Sequence, residues 1–135
     1  MGRVLAIDYG DQRIGLALSD PLKIIASPYK TIANKDNDYS VDAILEVIID
    51  EDVELTIVGL PLSMSGEDTD QTKKVKLFSD KLSSKNINIK FIDERWSSKA
   101  AKRSMKDQGI KTGHNKSLVD QTAAAIFLQQ YLDQK

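Results

Sequence analysis

Two short apolar runs open the chain. Val4-Leu5-Ala6-Ile7 ends in Asp8, and after Tyr9-Gly10-Asp11-Gln12 a second run begins at Ile14-Gly15-Leu16-Ala17. Short apolar runs separated by a Gly-containing polar turn predict strands over 3–8 and 13–19, paired as a hairpin. Residues 24–32 predict a third strand, and Pro28, with no N–H for a ladder, pushes it to a sheet edge. Asn34 to Tyr39 is polar and turn-like. Then Val41, Ile44, Leu45 and Ile48 fall at i, i+3, i+4 and i+7, one face of a helix, with Ser40 as its expected N-cap.

The second half alternates. Leu55 to Leu60 reads as a buried strand stopped by Pro61, and Ser63 to Asp70 as a polar loop containing Gly66. Val75, Phe78 and Leu82 mark a second helix, and Ile87 to Ile92 a strand running into Asp93-Glu94. Ser97 or Ser98 can cap a helix through Met105, residues 109–113 read as loop, and Ser117 can cap a final helix. The centre of that helix, Ala123 to Leu128, is apolar nearly all round, so burial is expected. Hairpins first and alternating units later predict an α/β fold. Its sheet would be mixed, one half antiparallel and the other parallel, with helices on its faces. Ligands of such sheets gather at the carboxyl ends of the parallel strands.

Composition narrows the function. At 135 residues one domain over 1–135 is expected, and the absence of Cys removes disulfides, thiolate metal sites and a Cys nucleophile. The chain opens directly on a strand, without a leader-like pattern, and no apolar run reaches the roughly 20 residues of a membrane span. A cytoplasmic protein with no membrane partner is expected. The formal net charge of −1 disfavours a constitutive polyanion binder, but the charge is unevenly spread. Arg95, Lys99, Lys102, Arg103, Lys106, Lys111 and Lys116 face Asp107 alone, whereas Asp50, Glu51, Asp52 and Glu54 crowd one short stretch. The basic stretch permits a one-sided nucleic-acid surface, or simply a solvated helix face.

Acidic residues at element ends carry the candidate chemistry. Phosphodiester cleavage develops charge on the entering and leaving oxygens, which divalent ions stabilise. Magnesium takes hard oxygen ligands and keeps several waters, so a few rigidly held carboxylates suffice. Asp8, Asp93 or Glu94, and Asp120 are so placed, distant in sequence and joined only by a fold. Each has a plainer reading. Asp8 can be a turn former, Asp93-Glu94 can pair with Arg95, and Asp120 in a helix's first turn is favoured by the dipole. Gly10 and Gly15 allow tight turning or close approach to a phosphate. Arg13 can reach a phosphate or pair with an acid. Ser97 and Ser98 can bind phosphate or cap, Trp96 can stack on a base or pack, and a lone His114 makes zinc improbable. No phosphate-loop, dinucleotide or nucleophile-elbow motif is present.

Taken in order, these residues resemble a known family. Ala6-Ile7-Asp8-Tyr9-Gly10, Arg13-Ile14-Gly15-Leu16-Ala17, Val58-Gly59-Leu60-Pro61 with Gly66, Asp93-Glu94-Arg95, and Val119-Asp120 before Ala123-Ala124 are similar to the YqgF family of bacterial RuvC-like proteins. The resemblance covers essentially the whole chain. It implies an RNase H-like fold, a five-stranded mixed sheet flanked by helices on both faces. It also implies a nuclease centre using Mg2+ or Mn2+ and a role in maturing the 5′ end of pre-16S ribosomal RNA. Asp8, Asp93, Glu94 and Asp120 become the catalytic candidates, with Asp8, Glu94 and Asp120 as metal ligands. Gly10, Arg13, Arg95, Ser97, Ser98, Lys99, Lys102 and Arg103 become candidate substrate contacts. One departure is Trp96-Ser97-Ser98, where the family usually has an apolar residue followed by Thr-Thr or Ser-Thr.

Structured RNA is thus the expected partner. The first alternative is a resolvase of DNA four-way junctions, which would act as a symmetric dimer; a monomer favours the RNA reading. A second is a non-catalytic RNA-binding ribosome-assembly factor, for which Lys99, Lys102 and Arg103 would matter and Asp8 would not. An ATP-binding protein of the sugar kinase and actin class shares the phosphate hairpin but needs two such domains, more than this length supplies.

Overall fold

The computed structural model describes residues 2–63, 65–93 and 116–134, the last stretch with side chains from Val119 onward. Among them the chain runs β1 (Arg3–Tyr9), β2 (Arg13–Ser19), β3 (Ala26–Ala33), α1 (Asn37–Asp50), β4 (Val53–Leu60), α2 (Asp70–Ser83), β5 (Ile89–Asp93) and α3 (Lys116–Asp133). The strands form one sheet in the order β3-β2-β1-β4-β5. β1 pairs antiparallel with β2 and parallel with β4; β2–β3 is antiparallel and β4–β5 parallel. The two halves of the expected mixed sheet therefore meet at β1.

Strand alternation divides the core into two layers. Leu5, Ile7, Ile14, Leu16, Leu18 and Val58 face α1 and α2, where they meet Val41, Ile44, Val47, Val75, Phe78 and Leu82. Val4, Ala6, Ala17 and Ile57 face α3, against Ala124, Phe127, Leu128 and Tyr131. Large aliphatic side chains fill the first layer. In the second, alanines lie on both the central strands and the helix, so α3 can approach the sheet closely.

Local chemistry explains where the elements differ from the sequence reading. α1 begins at Asn37 rather than after Ser40, because Asp36 is its N-cap and accepts the Tyr39 N–H at 2.7 Å. Ser40 is buried inside the helix, and its hydroxyl bonds Asn34 Oδ1 at 2.7 Å. α2 starts with a reciprocal capping box between Thr69 and Thr72, and both hydroxyls also reach the Pro61 carbonyl. α3 includes Lys116, so Ser117 lies within it and Asp120 is beyond the first turn. β3 lies at the sheet edge as Pro28 implied, but it begins at Ala26. Asp20 takes the N–H groups of Ile24 and Ile25, each at 2.8 Å, and that of Leu22 at 3.2 Å. Those bonds hold residues 22–25 in a loop instead of a ladder. The expected helix from Ser97 or Ser98 and the loop at 109–113 lie outside the described residues.

The Asp20 carboxyl is held below its ordinary range, chiefly by the Ile25 and Ile24 N–H groups. A depressed folded-state pKa means that its contribution is complete above the unfolded-state value and lost as pH falls through the folded one. Asp20→Asn should therefore lower stability at neutral pH, and the gap to wild type should close in acid. Urea melts across pH check this; a pH-independent gap would remove the charge from the argument.

Candidate active site

The carboxyl ends of β1, β4 and β5 share one end of the sheet, and the turn after β1 is fixed there from several sides. The Tyr9 ring packs on Phe78 with centroids 4.8 Å apart, and its hydroxyl donates to Asn37 Oδ1 at 3.3 Å. Asn34 donates its side-chain N–H to the Gly10 carbonyl at 2.8 Å and its backbone N–H to the Gln12 carbonyl at 2.9 Å. Lys74 on α2 holds Asp11 at 3.2 Å. Gly10 has a structural reason of its own, since a Cβ there would meet the Arg13 carbonyl oxygen at 2.7 Å. The consequence is a rigid strand end immediately beside Asp8.

Tyr9 points toward α2, so alternation turns Asp8 to the face of Ala6 and Val4, the α3 face. Asp8 pairs in register with Gly15. Gly15 in turn lies under α3. A Cβ on Gly15 would sit 2.4 Å from both the carbonyl carbon and oxygen of Asp120, and 2.8 Å from its Cβ. Asp8 and Asp120, 112 positions apart in the SEQ rows, thus meet at one glycine. Of the two readings open to Gly15, tight turning and close approach to a phosphate, the structure displays a close approach, made by the Asp120 backbone. A glycine flanked by Ile14 and Leu16 inside a strand was the available signal for close backbone approach.

Asp120 is half-buried. Its Oδ2 accepts from Arg13 Nε at 3.0 Å, with the two side chains 24% and 33% exposed respectively. Burial nonetheless dominates and raises the Asp120 carboxyl above its ordinary range, with the Arg13 bond and charge pulling the other way. Of the two roles open to Arg13, pairing with an acid is the one displayed. The helix-dipole account of Asp120 loses force, because the dipole acts mainly within the first turn.

Asp93, the last residue of β5, is placed by the strand's register. Asp93 is in register with Leu60, which packs toward α1 and α2, as does Ile89. Ile92 packs in the α3 layer, and Lys90 Nζ lies 5.0 Å from the Tyr131 ring centroid of α3. Odd positions of β5 therefore turn away from Asp8 and Asp120. Glu94, Arg95, Ser97, Ser98, Lys99, Lys102 and Arg103, with Trp96 and His114, lie outside the described residues. Among the described residues no three His, Cys, Asp or Glu side chains converge. The donors present, two carboxylates on a rigid strand and a helix, suit a hard cation such as Mg2+, which needs one or two carboxylates beside its waters.

Comparison with known proteins identifies the family and the fold. The family model described as "RuvX: Holliday junction resolvase" matches residues 2–134. The chain belongs to this family. Among RuvX-family relatives, a Roseiflexus sp. protein named "Putative pre-16S rRNA nuclease" is 43% identical over 98% of this chain and 94% of its own length. A Fusobacterium nucleatum protein of the same name is 42% identical over 100% and 99%. The resemblance to YqgF proteins is borne out. Solved structures support the RNase H-like fold. Thermus thermophilus RuvC with a Holliday junction substrate gives a TM-score of 0.54 at 15% identity, covering 98% of this chain and 94% of RuvC. Fowlpox virus resolvase with junction DNA gives 0.59 at 9% identity, covering 98% and 97%.

Two outcomes follow from the geometry. Gly15→Ala drives a methyl into backbone atoms of Asp120, so α3 must shift. Overpacking of this kind costs about 1–3 kcal/mol, and the Asp120 resonances should move in spectra of the folded variant; an unchanged melt would refute the close contact. Arg13→Gln removes a group that lowers the Asp120 pKa, so that carboxyl should titrate still higher. Carboxyl carbon NMR of the metal-free protein reads the shift, and a fall would invert the assigned cause.

Proposed function

We propose that this chain, acting as one domain, is a metal-dependent endonuclease that trims the 5′ end of pre-16S ribosomal RNA in the cytoplasm. The observation that carries the reading is the meeting of Asp8 and Asp120 across Gly15 at the carboxyl end of β1. The names borne by relatives at about 40% identity favour RNA as the substrate. The family description favours DNA junctions as the second reading. No helix among the described residues is long and apolar enough to cross a membrane.

Asp8 and Asp120 would hold the cation; Asp93 turns to the α1 and α2 face with Leu60, which leaves Glu94 as the proposed third carboxylate. Bound Mg2+ or Mn2+ supplies charge stabilisation at the attacking and leaving oxygens of the phosphodiester. The chain's own part is to fix the donors. β1 orients Asp8 through the Tyr9–Phe78 anchor, and α3 carries Asp120 to the sheet over Gly15. Arg13 balances Asp120 and keeps a cation where a phosphate would arrive. Gly10, Arg95, Ser97, Ser98, Lys99, Lys102 and Arg103 are the proposed substrate contacts around these acids.

The test sets a pre-16S 5′ leader beside a four-way DNA junction, with Mg2+, Mn2+ or EDTA. Wild type should cut the leader only with metal. Asp8→Asn, nearly isosteric but a poor ligand, should cut at least about a hundredfold more slowly, a transition-state loss of roughly 2.7 kcal/mol, with its melt unchanged. Wild-type activity in Asp8→Asn would exclude this centre, and cutting of the junction alone would move the substrate to DNA.

A further inference from the structure

At the opposite end of the sheet the molecule displays a cluster of aliphatic side chains. Leu22, Ile24 and Ile25, in the β2–β3 loop, are 66%, 60% and 60% exposed. The loop is held in this state. Asp20 accepts the N–H groups of all three residues, Lys23 adopts a left-handed φ of 62°, and Gln129 of α3 binds the Ile24 carbonyl and the Ala26 N–H. Clustered exposed apolar residues on a protein surface mark interaction sites. A loop fixed by five hydrogen bonds has lost in advance the entropy that binding would otherwise cost.

The surroundings state the charge of the partner. Ile25 lines a cavity of about 340 Å³ that is also bordered by Tyr29, Arg3 and Glu51. A second hollow of about 270 Å³ adjoins it through Arg3 and Glu51 and is bordered by Asp50 and Asp52. Among the described residues, with Asp20 and Glu54, this end carries five carboxylates, against Arg3, Lys23 and Lys30, with the N-terminal ammonium acting on Glu54. Arg3 is bound to the Ser19 carbonyl, Lys23 to Glu54, and Lys30 lies over the Tyr29 ring. The negative field reaches Tyr29, whose phenol is pushed up by burial and then by Glu51 and Asp50. Such a field repels nucleic acid and suits cations, while the flanking aliphatic loop requires an apolar anchor.

We propose that the β2–β3 loop and the acidic turn between α1 and β4 form a docking surface for a basic polypeptide segment. Its aliphatic residues would cover Leu22, Ile24 and Ile25, and its Lys or Arg side chains would enter the hollows beside Tyr29, Glu51 and Asp52. The surface lies at the opposite end from Asp8 and is independent of the nuclease reading. It would let the chain hold a protein partner while nucleic acid occupies the other end.

The probes are a peptide of about 12 residues alternating Arg or Lys with Leu or Ile, and a companion with Ser at every aliphatic position, titrated into labelled protein. Amide shifts from the first should gather at residues 20–29 and 50–54. Its affinity should fall about tenfold or more, the equivalent of 1.4 kcal/mol, for the companion, for Leu22→Ser with Ile24→Ser, and for Glu51→Lys. The variants' remaining spectra report that they are folded. Equal binding of both peptides, shifts centred near Asp8, or no binding at about 1 mM would overturn the proposal. So would a wild-type dimer in sedimentation that Leu22→Ser dissolves, since a second copy would then be the occupant.

Discussion

The distance between α3 and the sheet governs this structure. It is set by absence of side chain: Gly15, Ala6 and Ala17 on the strands face alanines on the helix, and Gly15 lies against the Asp120 backbone itself. Larger residues on this face would lift the helix and carry Asp120 with it. The other face has no such demand, and there Leu, Ile and Phe fill the core at ordinary spacing. The two layers therefore differ in what they hold in place. One side supplies hydrophobic burial, and the other trades some of it for a close approach that brings two acids together.

That approach has an electrostatic cost. Asp120 is taken partly out of water, and Arg13 does not fully offset the loss, so the carboxyl stays above its usual range. A half-buried acid with an incomplete counter-charge costs the fold some stability. Asp20 is the contrast. It is solvent-exposed, satisfied by three backbone N–H groups, and held in its charged form. One carboxylate serves local backbone geometry, and the other is set by burial against a single guanidinium.

Much of this was legible in the sequence, for identifiable reasons. Apolar runs located β1, β2 and β4, whose central residues are buried between helices, whereas β3 and β5 are mostly exposed. Pro28 announced an edge. Errors fell where side chains compete for backbone groups: Asp36 displaced Ser40 as a cap, and Asp20 drew Ile24 and Ile25 out of β3. The acidic candidates could be named but not paired, since pairing depends on which face each residue takes. The layer of Asp93 follows only from its register with Leu60, which packs toward α1 and α2. The Arg13–Asp120 bond, spanning 107 positions, had no local signature at all. The comparisons show the same division: likeness of fold persists at 9–15% identity, where few particular residues are shared.

The order of the elements also gives the molecule a history. β1, β2 and β3 form a meander of neighbouring strands, whereas α3, the last element, returns to cover the first. Domains form from the N-terminal side as chains emerge during synthesis. A growing chain can thus build its hairpin and display Asp8 long before residue 120 exists. The Gly15 groove then waits as a bare stripe on the sheet, and the arrival of α3 completes the core and the acidic pair in one event. Closure of the core and the meeting of Asp8 with Asp120 are in this way one event, because the helix that seals the sheet is the helix that carries the second acid.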